Sequence, residues 1–461
     1  MTPAVKVQMG FKILHCIASV NPKGGGPIEG LKQLSAVNQQ QGHQVEVLTL
    51  DCPDDSWVKE CPIPCHAVGP TLVGNWRYSP RWAPWLRAHA HEYDAVIVNG
   101  IWQYHAFGTW RALAGTKTPY FVFTHGMLDP WFKRTYPLKH LKKWLFWPWA
   151  EYRVLRDAAA VMFTCEDERR LARQSFWLYK CDEFVVSYGT SAPPEHEARQ
   201  REAFQQAFPD LQGKRLLLFL GRVHEKKGPD LLFKAFARLR QQRPELLRDV
   251  RIVMAGPAEH AYGQEMLKLN RELGLADVTT WTGMITGDVK WGAFRASDAF
   301  ILPSHQENFG IAVAEAMACS VPVLISNQVN IWREIQQAQG GLVEQDTVDG
   351  TERLLQRWLA MPPEQWQAMR RHARQCFLQR FLIDRTAESF IEAMEVFGMR
   401  RRPERFIAAP QRPAPLDPRR HRRHARIRRG PGSLGQPHRT RGRGPGGARL
   451  LRGAGPPPAH L

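Results

Sequence analysis

Short, uninterrupted apolar runs recur along the chain, each followed by a turn and then by a stretch with helical spacing. Runs of this length between turn signals read as strands buried on both faces. The first is 11–18 (FKILHCIA), followed by a glycine-rich turn at 21–27 (NPKGGGP), a helical stretch to Gln41, Gly42, and a second strand at 45–50. Strand, loop, helix and strand make one βαβ unit. Further strands are predicted at 95–98, 120–124 and 160–164. The pattern restarts at 215–220 (RLLLFL), with a helix over 230–241 and strands at 251–255, 278–282, 299–302 and 323–325, and a weaker one at 341–343. The expectation is an α/β protein of two Rossmann-like domains, each a parallel sheet with helices on both faces, joined by a linker near 187–212.

Length agrees, since 461 residues exceed one ordinary core and suit two. No apolar run approaches the roughly 20 residues that span a bilayer, and the N-terminus lacks the pattern of a secretory signal. The eight cysteines lie mostly inside predicted elements, which fits a reducing cytoplasm, and no metal site is expected. Net charge is +19, but unevenly placed. From Arg400 onward there are 17 Arg, no Lys and two acids, a net of +15, which leaves +4 for the body. Residues 398–461, rich in Arg, Pro, Gly and His, are expected to be a disordered basic tail, because they bury too little to offset ordering entropy. The tail reads as a non-functional extension, with nucleic-acid or membrane binding through it as the remote alternative; an enzyme-independent nucleic-acid binder would put basic residues on the folded body, so no nucleic-acid partner is expected.

Candidate chemistry sits in the turns. In 301–324 (ILPSHQENFGIAVAEAMACSVPVL) a strand ends at Pro303, and a helix is predicted from near Phe309. Glu307 lies at the loop mouth, and Glu315 interrupts an otherwise apolar helix. A buried carboxylate needs a partner. A ribose diol offers two hydroxyl donors, while a helix cap at Glu307 and a core Arg at Glu315 would serve equally on spacing alone. The helix start at 308–311 presents free N–H groups. Arg222 and Lys227, in GRVHEKKG directly after a strand, could clamp a diphosphate or simply be solvated. Gly24, Gly25 and Gly26 let backbone approach a ligand or make a tight turn. His125 ends a strand where a cleft would open. Over 131–149, Lys139, Lys142 and Lys143 alternate with Leu138, Leu141, Trp144 and Leu145, flanked by further aromatics. That suits either an anionic membrane surface or a helix packed on a sheet.

Taken in order, the GGGP loop, GRVHEKKG, the 283–303 segment (GMITGDVKWGAFRASDAFILP) and the E-x7-E element ENFGIAVAEAMACSVPV resemble retaining glycosyltransferases of family 4, the GT-B type, over about 11–397. The resemblance implies two domains facing across a cleft: 11–190 on the acceptor side, 191–379 for a nucleotide-sugar donor, and a final helix, 380–397, crossing back to the first. It implies that Arg222 and Lys227 hold the diphosphate and that Glu315 holds the ribose. Glu307 and the amides of Asn308, Phe309 and Gly310 would meet the sugar, Gly25 and Gly26 would approach the diphosphate, and His125 would lie near the donor sugar. Lys139, Lys142, Lys143 and Trp144 would face a membrane or a lipid-linked acceptor. No cofactor or metal is implied, and the setting is the cytoplasm, peripheral to the inner membrane face. The product would be extracellular polysaccharide or lipopolysaccharide. A sugar-nucleotide epimerase or a phosphorylase of the same fold is the rival reading. A nicotinamide enzyme would carry G-x-G-x-x-G where NPKGGGP stands. The linker reads Val186-Ser187-Tyr188-Gly189-Thr190, where many relatives carry a Pro-Asn-Gly-type turn, which puts linker-side contacts in doubt.

Overall fold

The structure, a computed structural model, describes residues 10–398, so the basic tail expected at 398–461 lies, but for Gly398, outside the described residues. Thirteen strands among them form two parallel sheets. The first holds β1 (Lys12–Ile17), β2 (Gln44–Thr49), β3 (Cys65–Ala67), β4 (Ala95–Asn99), β5 (Tyr120–Phe123), β6 (Val161–Phe163) and β7 (Glu183–Val185), in the order β3-β2-β1-β4-β5-β6-β7. The second holds β8 (Arg215–Leu220), β9 (Val250–Ala255), β10 (Thr279–Gly283), β11 (Ala299–Leu302), β12 (Val323–Ser326) and β13 (Gly341–Glu344), in the order β10-β9-β8-β11-β12-β13. The expected pair of Rossmann-like halves is present. Two strands escaped the sequence pattern, β3 and β7, and both are edge strands. Each has three half-buried residues, so neither carries the apolar run that marks a strand covered on both faces.

Strand order reverses between β1 and β4 in the first sheet and between β8 and β11 in the second. In open α/β sheets a crevice opens beyond the strand ends at such a point. The loops that leave these four strands are those at Asn21–Pro27, Gly100–Gln103, Gly221–Gly228 and Pro303–Gly310.

The chain passes between halves twice, and the two passages are bonded to each other. Thr190 donates its N–H to the Phe381 carbonyl (2.9 Å) and accepts from Ile383 N–H (3.0 Å). Gly189 is required there, since a Cβ would sit 2.3 Å from the Phe381 carbonyl oxygen. The second passage delivers the helix Ile383–Ala393 to the first half. Its buried Ile383, Ala387, Phe390 and Ile391 join Ile13, Leu34, Ile97, Phe121 and Phe123 in one core cluster. Phe390 stacks on His15 (5.8 Å) and Phe123 (6.3 Å) and is fully buried.

Phe390→Ala would empty a site walled by β1, β5 and the helix Gly26–Gln40. It is expected to lower stability by about 3–5 kcal/mol. Calorimetry should show the loss as a lower thermal midpoint.

Candidate active site in the interdomain cleft

The glycine-rich loop hangs from one buried carboxylate. Asp51, just beyond β2, accepts from Val20 N–H (2.7 Å), Ser19 Oγ (2.8 Å), Thr49 Oγ1 (2.9 Å) and Arg77 Nη2 (3.1 Å). Asn21 then accepts from Lys23 N–H through Oδ1 (2.9 Å) and closes the turn. Gly25 has a φ of +78°, and a Cβ there would meet nothing within 4 Å, so its backbone faces open space. Gly26 faces the second half, with a would-be Cβ 3.6 Å from Ile311 Cδ1.

On the second half, Arg222 is exposed and forms no hydrogen bond or ion pair among the described residues. Lys227 is committed: its Nζ lies 2.6 Å from Glu307 Oε2. Two side chains assigned separate tasks from sequence are therefore partnered with each other. The loop bearing Glu307 is pinned by Glu307 N–H to the Gln328 carbonyl and by Asn330 N–H to the Glu307 carbonyl, both 3.0 Å. The helix begins at Ile311, two residues later than the pattern predicts, because Gly310 takes a φ of +77°. Its first N–H groups point back at this loop.

Glu315 is 5% exposed, and its partner is Lys290 Nζ at 2.6 Å, from the helix Gly287–Ala296, rather than a core Arg. Burial pushes its carboxyl up, and the Lys290 ammonium pulls it back. Lys290 lies within the family-like 283–303 segment, yet nothing in the local pattern marks it as the partner of Glu315.

His125 occupies a left-handed backbone position, φ +47°. Its side chain is half-buried, with Nε2 3.4 Å from Asn99 Oδ1, and the Asn99 amide also meets His15 Nδ1 at 3.1 Å. Burial lowers His125 to about 4 and His15 to about 3, so both rings are neutral near pH 7. Tyr188 of the linker packs its ring on Phe309 (5.2 Å) and His125 (6.4 Å). Gly30 leaves room for it, since a Cβ there would be 1.8 Å from the Tyr188 oxygen. The sequence marked this linker only as unlike the usual turn. What it supplies is an aromatic wall between the two halves.

The halves also touch through Lys226, whose Nζ lies 4.8 Å from the Trp131 ring and 4.1 Å from the Phe132 ring, and through Gln306 to Asp129 (3.3 Å). Arg333 meets Asp167, and Tyr136 meets Glu225.

The segment 131–149 forms helices at Trp131–Thr135 and Pro137–Phe146, and the second has no buried residue. Leu138, Leu141, Leu145 and Trp149 are more than half exposed, Leu138 at 82%, and Trp144 is 41% exposed. Trp147 turns inward and stacks on Phe176 at 4.1 Å. Lys142 points outward, and exposed Lys139 lies over the Tyr136 ring at 4.8 Å. Lys143 departs from the outward set. Its ammonium lies 4.4 Å from the Trp102 ring, and burial lowers its pKa. Beside it, fully buried Glu151 accepts from Trp102 N–H (3.1 Å), while its other oxygen has no partner. No helix among the described residues is long and apolar enough to cross a membrane.

Both halves match family models: residues 25–189 that of the glycosyl transferase 4-like domain, and 200–376 that of glycosyl transferases group 1. The D-inositol 3-phosphate glycosyltransferase of Arthrobacter sp. (strain FB24) is 35% identical over 138 residues, 30% of this chain and 31% of that protein. The match thus spans about a third of that relative's length. Among solved structures, Anabaena HepE in complex with UDP and glucose superposes with a TM-score of 0.65 at 17% identity, covering 84% of this chain and 100% of that one. WaaG, a glycosyltransferase involved in lipopolysaccharide biosynthesis, gives 0.58 at 17%, with the same coverage. At such identities the likeness shows the fold.

Glu151 provides a pH test of the first half's core beside Trp102. Burial raises its carboxyl from 4.5 to about 8, so between those values the folded chain holds a proton that the unfolded chain has released. Stability therefore falls as pH rises across that window. Glu151→Gln cannot titrate, and thermal midpoints measured from pH 5 to pH 8 should fall less steeply for it than for the parent.

Proposed function

This chain belongs to glycosyltransferase family 4, of GT-B architecture, and from that premise we propose that it moves a sugar from a nucleotide-sugar donor to a hydroxyl of a saccharide or lipid-linked acceptor, with retention of configuration. One observation carries the reading. The loops beyond β8 and β11 bring Lys227, Glu307 and the Glu315 helix together beneath Gly26 of the opposite half.

Lys227 with Glu307 and Lys290 with Glu315 offset each other's charge, and a donor would exchange some of those partners. An entering diphosphate takes the positive charge of Arg222 and Lys227, whose guanidinium and ammonium stabilise the charge that grows as it departs. Glu307, freed from Lys227, then accepts from sugar hydroxyls. A ribose diol donates to Glu315, whose charge Lys290 already offsets. Gly25 and Gly26 give the diphosphate access to backbone. Neutral His125 hydrogen-bonds the sugar without adding charge. The acceptor hydroxyl attacks on the face that the nucleotide leaves, and the departing phosphate oxygen takes its proton. No protein base, cofactor or metal is called for in this scheme. Closure of the halves excludes water that would otherwise hydrolyse the donor.

Polysaccharide or lipopolysaccharide assembly at a membrane surface is the setting we favour. The helix Pro137–Phe146 supports it, with exposed leucines beside outward lysines and no core of its own to cover. Such a helix lies in the headgroup layer and is drawn there by anionic lipid.

Screening nucleotide sugars for thermal stabilisation and turnover tests the central reading, and failure of every donor would overturn it. Against the donor so found, Arg222→Ala should lower kcat/KM by about 10²–10³-fold. Its thermal midpoint should not move, because that side chain is exposed and unbonded. For the membrane face, Leu138→Glu with Leu141→Glu should abolish co-sedimentation with phosphatidylglycerol vesicles at low salt. Binding by the parent chain should weaken as salt rises. Equal sedimentation of variant and parent would exclude this helix as the contact.

A further inference from the structure

We propose that Glu168 and the Asn308 side chain form a lock and key between the two halves, a positioning pair that sets the His125 loop when the cleft is shut. The proposal rests on the transferase reading for its purpose but not for its geometry.

Glu168 lies in the first turns of the helix Glu166–Ala172 and is 4% exposed. A carboxylate so deep requires donors. It has them from two neighbouring strand ends. Beyond β6, Thr164 donates through its N–H and its hydroxyl, both 2.7 Å. Beyond β5, Thr124 donates its hydroxyl (2.7 Å) and Gly126 its N–H (2.5 Å). The last two flank His125, whose left-handed φ of +47° is costly for a residue with a side chain. Hydrogen bonds to a charged acceptor are strong enough to hold such a turn.

Asn308 reaches this carboxylate from the other half. Its Nδ2 lies 3.1 Å from Thr164 Oγ1 and 3.4 Å from Glu168 Oε2. The Thr164 hydroxyl donates to Glu168, so its lone pair is free to receive the amide. Gly126 opens the socket, since a Cβ there would stand 2.8 Å from Asn308 Cβ. Asn308 adjoins Glu307, the residue ion-paired to Lys227. One short segment therefore joins the donor-side charge pair to the backbone that carries His125. With the halves apart, Asn308 would be solvated and the Glu168 site would lose its outermost donor.

A merely structural Glu168 would stabilise the first half and owe nothing to Asn308. Hydrogen exchange on the full chain without ligand separates the two cases. Asn308→Ala, a change on the second half, is expected to raise exchange at 124–127 on the first. Arg222→Ala, outside the socket, should leave that segment alone. Asn308→Asp should do more harm than Asn308→Ala, because a second carboxylate would face Glu168, and that excess should vanish in a Glu168→Gln background. Should Glu168→Gln fail to fold, Thr164→Val removes the hydroxyl that receives Asn308 and takes its place: it should likewise raise exchange at 124–127, and Asn308→Ala should add little in that background. With a donor identified by the screen, Asn308→Ala should lower kcat about tenfold while donor KM stays within about twofold. Unchanged exchange at 124–127 in the Asn308 variants overturns the lock, whatever the turnover. A parent chain that turns over no donor overturns the transferase reading and leaves the exchange result readable.

Discussion

The cleft depends on how the two halves are joined. The chain crosses between them at Thr190 and again before Ile383, and the crossings share two backbone hydrogen bonds, with Gly189 pressed on the Phe381 carbonyl. One crossing is thereby the lateral support of the other. This paired segment joins the halves with their switch points facing each other, Gly26 lying over Ile311. It also explains why the last helix must finish on the first half. Phe390 and its neighbours anchor the far end of the second crossing in a core with β1 and β5. Without that anchor the pair would be a single flexible linker.

Within the cleft, charge is arranged in tethered pairs rather than left free. Glu307 with Lys227 and Glu315 with Lys290 are each closed at 2.6 Å, while Arg222 stands alone in solvent. The desolvation cost of each charge is met by its neighbour. On the first-half side His125 and His15 are held uncharged by burial and the glycine loop contributes backbone, while the acids Asp129 and Glu168 meet the amides of Gln306 and Asn308 from the second half. In the reading proposed above, the charged donor lies against the ion pairs of the second half.

Much of this was legible in the sequence, for physical reasons that also mark where legibility stops. Strands buried on both faces announce themselves as apolar runs, and β3 and β7, uncovered at the sheet edge, do not. Glycines that line the cleft are visible because chemistry and turn geometry both ask for them. The partners of Glu315 and Glu307 are another matter. Lys290 lies 25 positions before Glu315, and Lys227 lies 80 before Glu307, so only the packed sheets make either pair. Asp51, Asn99 and Glu168 are hidden for the same reason: each looks like an ordinary polar residue beyond a strand, at a strand's end or in a helix, and partners from distant loops and strand ends give it its place. Tyr188 was noticed only as a departure from a turn, since nothing local shows that Gly30 leaves space for its hydroxyl.

The Glu307–Lys227 contact has a kinetic side. Glu307 is a resident rival for the ammonium, fixed in place and therefore present at high effective concentration. Any anion that settles on Lys227 must displace it, and when the anion loosens, the carboxylate recaptures the charge before solvent can. Such a site grips less tightly than an unpaired lysine would, but it also lets go faster. In the reading proposed above, where a spent nucleotide must leave, such a built-in competitor would speed its departure at some cost in affinity.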